Sequence, residues 1–173
     1  MKFEMRFLFL FIFLVCAGLL GYAVYLQEAK HLLPCPLCVM QRIAYWLVGL
    51  TALAAFVHNP QTTGRRGYSV VVALFALAGA AVAAYHSWLI RHPQDSGCSI
   101  SAEETFINSL PLAQVWPGMF AANGDCAHVA WKFLTLTIPD WSLFCFIFFF
   151  GLVVYAFFGN DRGRKEAKIN PGV

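Results

Sequence analysis

Charge is what this sequence has least of. Only 12% of its 173 residues are charged, against 60% that are hydrophobic; an average soluble domain carries about 25% charge. Mean hydropathy is +0.64. Such a balance excludes an ordinary soluble domain and points to the membrane class. The net charge of +3 is too small to argue for nucleic acid. There is no internal repeat, no low-complexity linker and no extra domain, so residues 1–173 read as a single domain. The βαβ pattern of a thioredoxin-type domain is missing too. Val39 stands where a covalent haem motif needs histidine after Cys38.

Long apolar runs are plentiful instead. A membrane-crossing helix needs about 20 apolar residues, and four stretches supply them: about 7–26, 39–57, 70–90 and 141–158. The third is rich in alanine and glycine, which let helix backbones approach closely; the fourth is rich in phenylalanine. The first run is longer than the ~7–15 residues of a signal-peptide core, so it reads as a retained helix. Leu14-Val15-Cys16 has no small residue before the cysteine, which argues against a lipoprotein. The expected fold is an all-α integral membrane protein: a four-helix bundle with two outward loops, about 27–38 and 91–140.

An even number of spans puts both termini on one side. Lys2, Arg6, Arg65, Arg66, Arg162, Arg164, Lys165 and Lys168 share that side; Lys30, Arg42, Arg91 and Lys132 lie on the other. The positive-inside rule places the termini in the cytoplasm.

The six cysteines divide by the same map. Cys16 and Cys145 fall inside spans and read as small buried hydrophobes. Cys35, Cys38, Cys98 and Cys126 all fall in the outward loops, where an oxidising periplasm lets disulfides persist. They suggest two pairs, Cys35 with Cys38 and Cys98 with Cys126. Cys35-Pro36-Leu37-Cys38 has the spacing of a redox-active dithiol. Cys38 sits where the second span begins, and the helix dipole there favours a thiolate. Arg42, four residues on, lies on the same helical face. Against this stand blander readings: a zinc site built on the same cysteines, an arginine that only snorkels to the interface, and an inert disulfide in the long loop. Redox chemistry is preferred over zinc, and no metal ligand is assigned. His86 lies near the outward end of span three, at headgroup level; His92 and His128 read as solvated. Leu110-Pro111-Leu112 and Val115-Trp116-Pro117-Gly118-Met119-Phe120 suit a short helix lying on the bilayer surface. Such an anchor leaves Cys98 on a more mobile arm between Ser96, Gly97 and Ser99.

Assembled, these residues resemble the DsbB family, disulfide bond formation protein B, over nearly the whole chain. The likeness rests on Cys35-Pro36-Leu37-Cys38 with Gln41-Arg42, on His86, on the lone loop Cys98, and on Leu110-Pro111-Leu112 to Trp116. Gly124-Asp125-Cys126-Ala127, and Pro139 with Trp141, complete it. The resemblance implies an inner-membrane thiol oxidase that takes electrons from a periplasmic DsbA-like partner at Cys98–Cys126. It implies that they pass through Cys35–Cys38 to a quinone, either ubiquinone or menaquinone. Cys38, Arg42, Gln41 and His86 would line the quinone site, with Arg42 stabilising the Cys38 thiolate. A vitamin K epoxide reductase-like enzyme has similar helices, but its active dithiol follows the loop cysteines, whereas here it precedes them.

Overall fold

In hydrocarbon no water satisfies the backbone, so each apolar run closes its own hydrogen bonds as a helix. The computed structural model describes residues 2–30, 34–92, 102–122, 124, 126, 132–133 and 136–169. Its long helices are α1 (Lys2–Lys30), α2 (Pro36–His58), α3 (Thr62–Arg91) and α7 (Ile138–Ile169). Stretches of each, Met5–Lys30, Pro36–His58, Thr63–Arg91 and Ile138–Phe158, are long and apolar enough to cross a membrane. Between α3 and α7 lie three short helices: α4 (Ala102–Ser109), α5 (Pro111–Val115) and α6 (Pro117–Phe120). A two-residue antiparallel ladder follows, pairing β1 (Lys132–Phe133) with β2 (Leu136–Thr137).

Two boundaries differ from the sequence reading. Helix α2 starts at Pro36, not after Cys38. Proline suits the first helical position, where its missing N–H costs nothing, and Cys35 is the N-cap. Both cysteines therefore belong to one helix start. The long loop holds three short helices rather than one, because Pro111 and Pro117 each begin a new turn. At its other end α2 stops at His58, where Asn59 takes a left-handed conformation (φ 42°) and Pro60 follows.

The helices pack α1 on α2, α2 on α3 and α3 on α7, with α1 and α7 also touching. Inside lie Ile12 and Cys16 from α1, Val48 from α2, Val72 from α3, and Phe146, Phe149 and Val153 from α7. The outer faces carry Phe11, Leu14, Leu50, Leu74, Leu77, Phe144 and Ile147, all exposed. A soluble monomer rarely shows so continuous an apolar surface; this is a multi-pass membrane protein. Hydrophobicity does not hold helices together in lipid, so close packing must. Gly79 provides it on α3: a Cβ there would lie 2.5 Å from the ring of Phe146. That ring stacks on Tyr45 at 4.3 Å between centroids. The Tyr45 hydroxyl lies 3.0 Å from Ser142 Oγ, tying α2 to α7. Where α7 begins, Asp140 accepts hydrogen bonds from Ser87 and Thr137 and pairs with Arg91 at 2.8 Å, fastening α7 to α3.

Candidate active site

The start of α2 builds the site. Four N–H groups at a helix start lack partners within the helix. The Cys35 sulfur accepts one of them, the Cys38 N–H, at 3.3 Å. This turns the two side chains together, and the Cys35 thiol donates to the Cys38 sulfur at 2.9 Å. Both are free cysteines here, with their sulfurs within reach of each other.

The other groups arrive from three more elements. His86 is buried on α3, its Nε2 3.7 Å from the Cys35 sulfur and its Nδ1 3.2 Å from Gln41 Nε2. Cys126 comes from the long loop. Its sulfur, that of Cys35 and a ring nitrogen of His86 all lie within 4.8 Å of one another. The Gly124 N–H donates to the Pro34 carbonyl at 3.1 Å, stapling the long loop to the short one. Hydrogen bonding with Cys126, then with Cys38, together with burial, pushes the Cys35 thiol well above the usual thiol range.

Arg42 lies one turn below Cys38 and is buried. Its Nη1 donates to Gln27 Oε1 on α1 at 2.9 Å and to the Met119 carbonyl on α6 at 3.1 Å. Gln27 also donates to the Gly118 carbonyl at 2.8 Å. Among the described residues no carboxylate pairs with this guanidinium, so its charge is left for groups at the dithiol.

The structure thus gathers Cys35, Cys38, Gln41, Arg42, His86 and Cys126. Cys98 and His128 lie outside the described residues. His92 is exposed and stacks on Trp88 at 4.9 Å between centroids. Cys16 is buried in the bundle. Sequence reasoning passed over Gln27 and the Met119 carbonyl, which hold Arg42 in place. A glutamine near the end of an otherwise apolar span was the available signal. It also passed over Asp140, an acid at the start of span four.

A family model described as "Disulfide bond formation protein DsbB" matches residues 5–156. The chain belongs to this family. Within the DsbB family it is 55% identical over 160 residues to disulfide bond formation protein B of Nitrosospira multiformis, covering 92% of this chain and 95% of that one. It is 61% identical over 145 residues to the same-named protein of Nitrosomonas eutropha, covering 84% and 90%. With disulfide bond formation protein B 1 of Pseudomonas aeruginosa it shares 41% identity over 153 residues, covering 88% and 94%. Membership of the DsbB family makes it a disulfide bond formation protein with a thiol oxidoreductase role, and its four long apolar helices are the DsbB bundle.

Proposed function

We propose that this protein reoxidises a periplasmic DsbA-like dithiol oxidase and passes the electrons to a membrane quinone, ubiquinone or menaquinone. It does so in the bacterial inner membrane, with both termini cytoplasmic and the reactive cysteines periplasmic. The observation that carries this reading is the meeting of Cys126 with the Cys35–Cys38 dithiol, above a buried arginine that has no acidic partner among the described residues.

The steps balance as thiol–disulfide exchange. A thiolate of the reduced partner attacks Cys98 of a Cys98–Cys126 disulfide, and Cys126 leaves as a thiolate. The partner's second thiol resolves the mixed disulfide and departs oxidised, leaving Cys98 reduced. Cys126 attacks Cys35 of a Cys35–Cys38 disulfide, and Cys38 leaves as a thiolate. Cys98 then attacks Cys126 of the Cys35–Cys126 disulfide, which restores Cys98–Cys126 and releases Cys35, so that the Cys35–Cys38 dithiol holds the two electrons and two protons it would give up as it closes again to a disulfide. Each cycle removes two electrons and two protons from the partner.

The residues beside Cys38 fit a quinone: a buried cation, an amide and an imidazole next to a sulfur donor suit a ring bearing two carbonyl oxygens. Bound there, a quinone supplies the acceptor for two electrons and two protons. Arg42 holds negative charge at Cys38 and beside it. His86, between Cys35 and Gln41, moves a proton at Nε2 while Gln41 fixes the ring. Burial of Cys35, Gln41, Arg42 and His86 keeps water from the sulfurs.

The test is quinone reduction by purified protein in detergent, with a reduced DsbA-like donor. Cys38→Ser and Cys98→Ser are each expected to abolish turnover. Wild-type rates in Cys38→Ser, or no turnover with either quinone in folded wild-type protein, would overturn the reading.

A further inference from the structure

The same sulfurs offer a second chemistry once they are reduced. Cys35, Cys126 and His86 come from three places: the cap of α2, the long loop and the outward end of α3. Yet their ligand atoms lie within 4.8 Å of one another. In a tetrahedral zinc site, with Zn–S of about 2.3 Å and Zn–N of about 2.0–2.1 Å, neighbouring ligand atoms stand roughly 3.5–3.8 Å apart. The Cys35 sulfur and His86 Nε2 are already 3.7 Å apart. Cys38 lies beside Cys35 alone, its sulfur 2.9 Å away, closer than two ligands of one zinc stand. The Gln41 amide nitrogen meets Nδ1 at 3.2 Å, where a metal-bound histidine needs an acceptor instead. An amide can turn its oxygen to accept from Nδ1–H, which leaves the Nε2 lone pair pointing at the sulfurs.

We propose that the reduced protein binds one thiophilic divalent cation of the zinc class through Cys35, Cys126 and His86. The ion holds the enzyme reduced and inactive. The inhibitory part rests on the oxidase reading above, since thiolates bound to an ion cannot exchange. Binding is gated by redox state, because a sulfur in a disulfide offers no thiolate. As each thiol becomes a ligand it gives up its proton to solvent. An ion here also closes the long loop onto the bundle, joining three elements at one point.

The probe is Co²⁺, whose thiolate charge-transfer absorption reports sulfur ligation, followed by Zn²⁺ competition against a chromophoric chelator. The full chain is used in detergent, reduced and freed of reductant. One ion per chain is expected. Cys126→Ser and His86→Gln, shown to be folded by their helical circular dichroism, should weaken binding tenfold or more. Cys98→Ser, and Cys16→Ser with Cys145→Ser, should leave it unchanged. Oxidised protein should not bind. Equal binding by oxidised protein overturns the site, as does binding lost in Cys98→Ser but kept in His86→Gln. Turnover of the metal-free preparation reads the oxidase by itself. Protein that turns over but binds no cobalt removes the site, and turnover undiminished with zinc bound removes the inhibition.

Discussion

Cys35 does the most varied work of any residue in the protein. It caps α2, donates to Cys38, faces His86 and meets Cys126. Hydrogen bonding and burial all favour its protonated form, so its thiolate should appear only at unusually high pH. The thiolate is the reactive species. Alkylation of Cys35 in the reduced protein is therefore expected to keep climbing well above pH ~8.5, where an ordinary thiol is half ionised. Burial both slows the absolute rate and helps to raise the midpoint of the profile. Peptide mapping after pulses of a small thiol reagent across the pH range measures it; a midpoint at or below ~8.5 contradicts the hydrogen-bonded arrangement.

Among the elements, α3 shows how packing in lipid becomes specific. Gly79 lets α3 approach Phe146, and Phe146 supports Tyr45 and its bond to Ser142. Because Phe146 is fully buried, it cannot swing away from an added methyl. Gly79→Ala is expected to cost about 1–3 kcal/mol by overpacking, seen as a lower unfolding temperature in detergent. Phe146→Leu should recover part of that loss in the double variant, and no rescue would place the strain elsewhere. The same helix shows what the sequence withheld. Cys35, Cys38, Gln41 and Arg42 fall within one helix start, so their spacing alone put them together. The rotation of α3 had no such guide: its run of alanine, glycine and valine is apolar all round. His86 lies seven residues from Gly79, on the same buried face as Val72, Ala76 and Ala83. Pro36 did carry the start of α2 in plain view, as a first-turn proline after a capping sulfur.

At the scale of the whole molecule, basic residues collected in three separate segments imply one orientation. Fusion of a fluorescent reporter after Val173 is expected to glow in the cytoplasm. Alkaline phosphatase inserted within residues 93–100 is expected to be active, since that enzyme needs an oxidising compartment to form its disulfides. The reverse pattern would invert the topology. The four spans were legible because bilayer thickness acts on composition, which a sequence displays. The meeting of Cys126 with Cys35 was implied by the family resemblance, not by composition or spacing. A backbone hydrogen bond from Gly124 to Pro34 helps to hold it, between segments far apart in the chain and without side-chain signature.

That staple has a kinetic meaning. Closing a long loop normally requires a search through its conformations, with an entropy that grows with loop length. Here the search is already complete, and Cys126 faces Cys35 at an effective concentration fixed by geometry rather than by how much protein is present. Exchange between these two sulfurs is then a unimolecular event, indifferent to dilution, and the slow encounter is left to molecules arriving from outside.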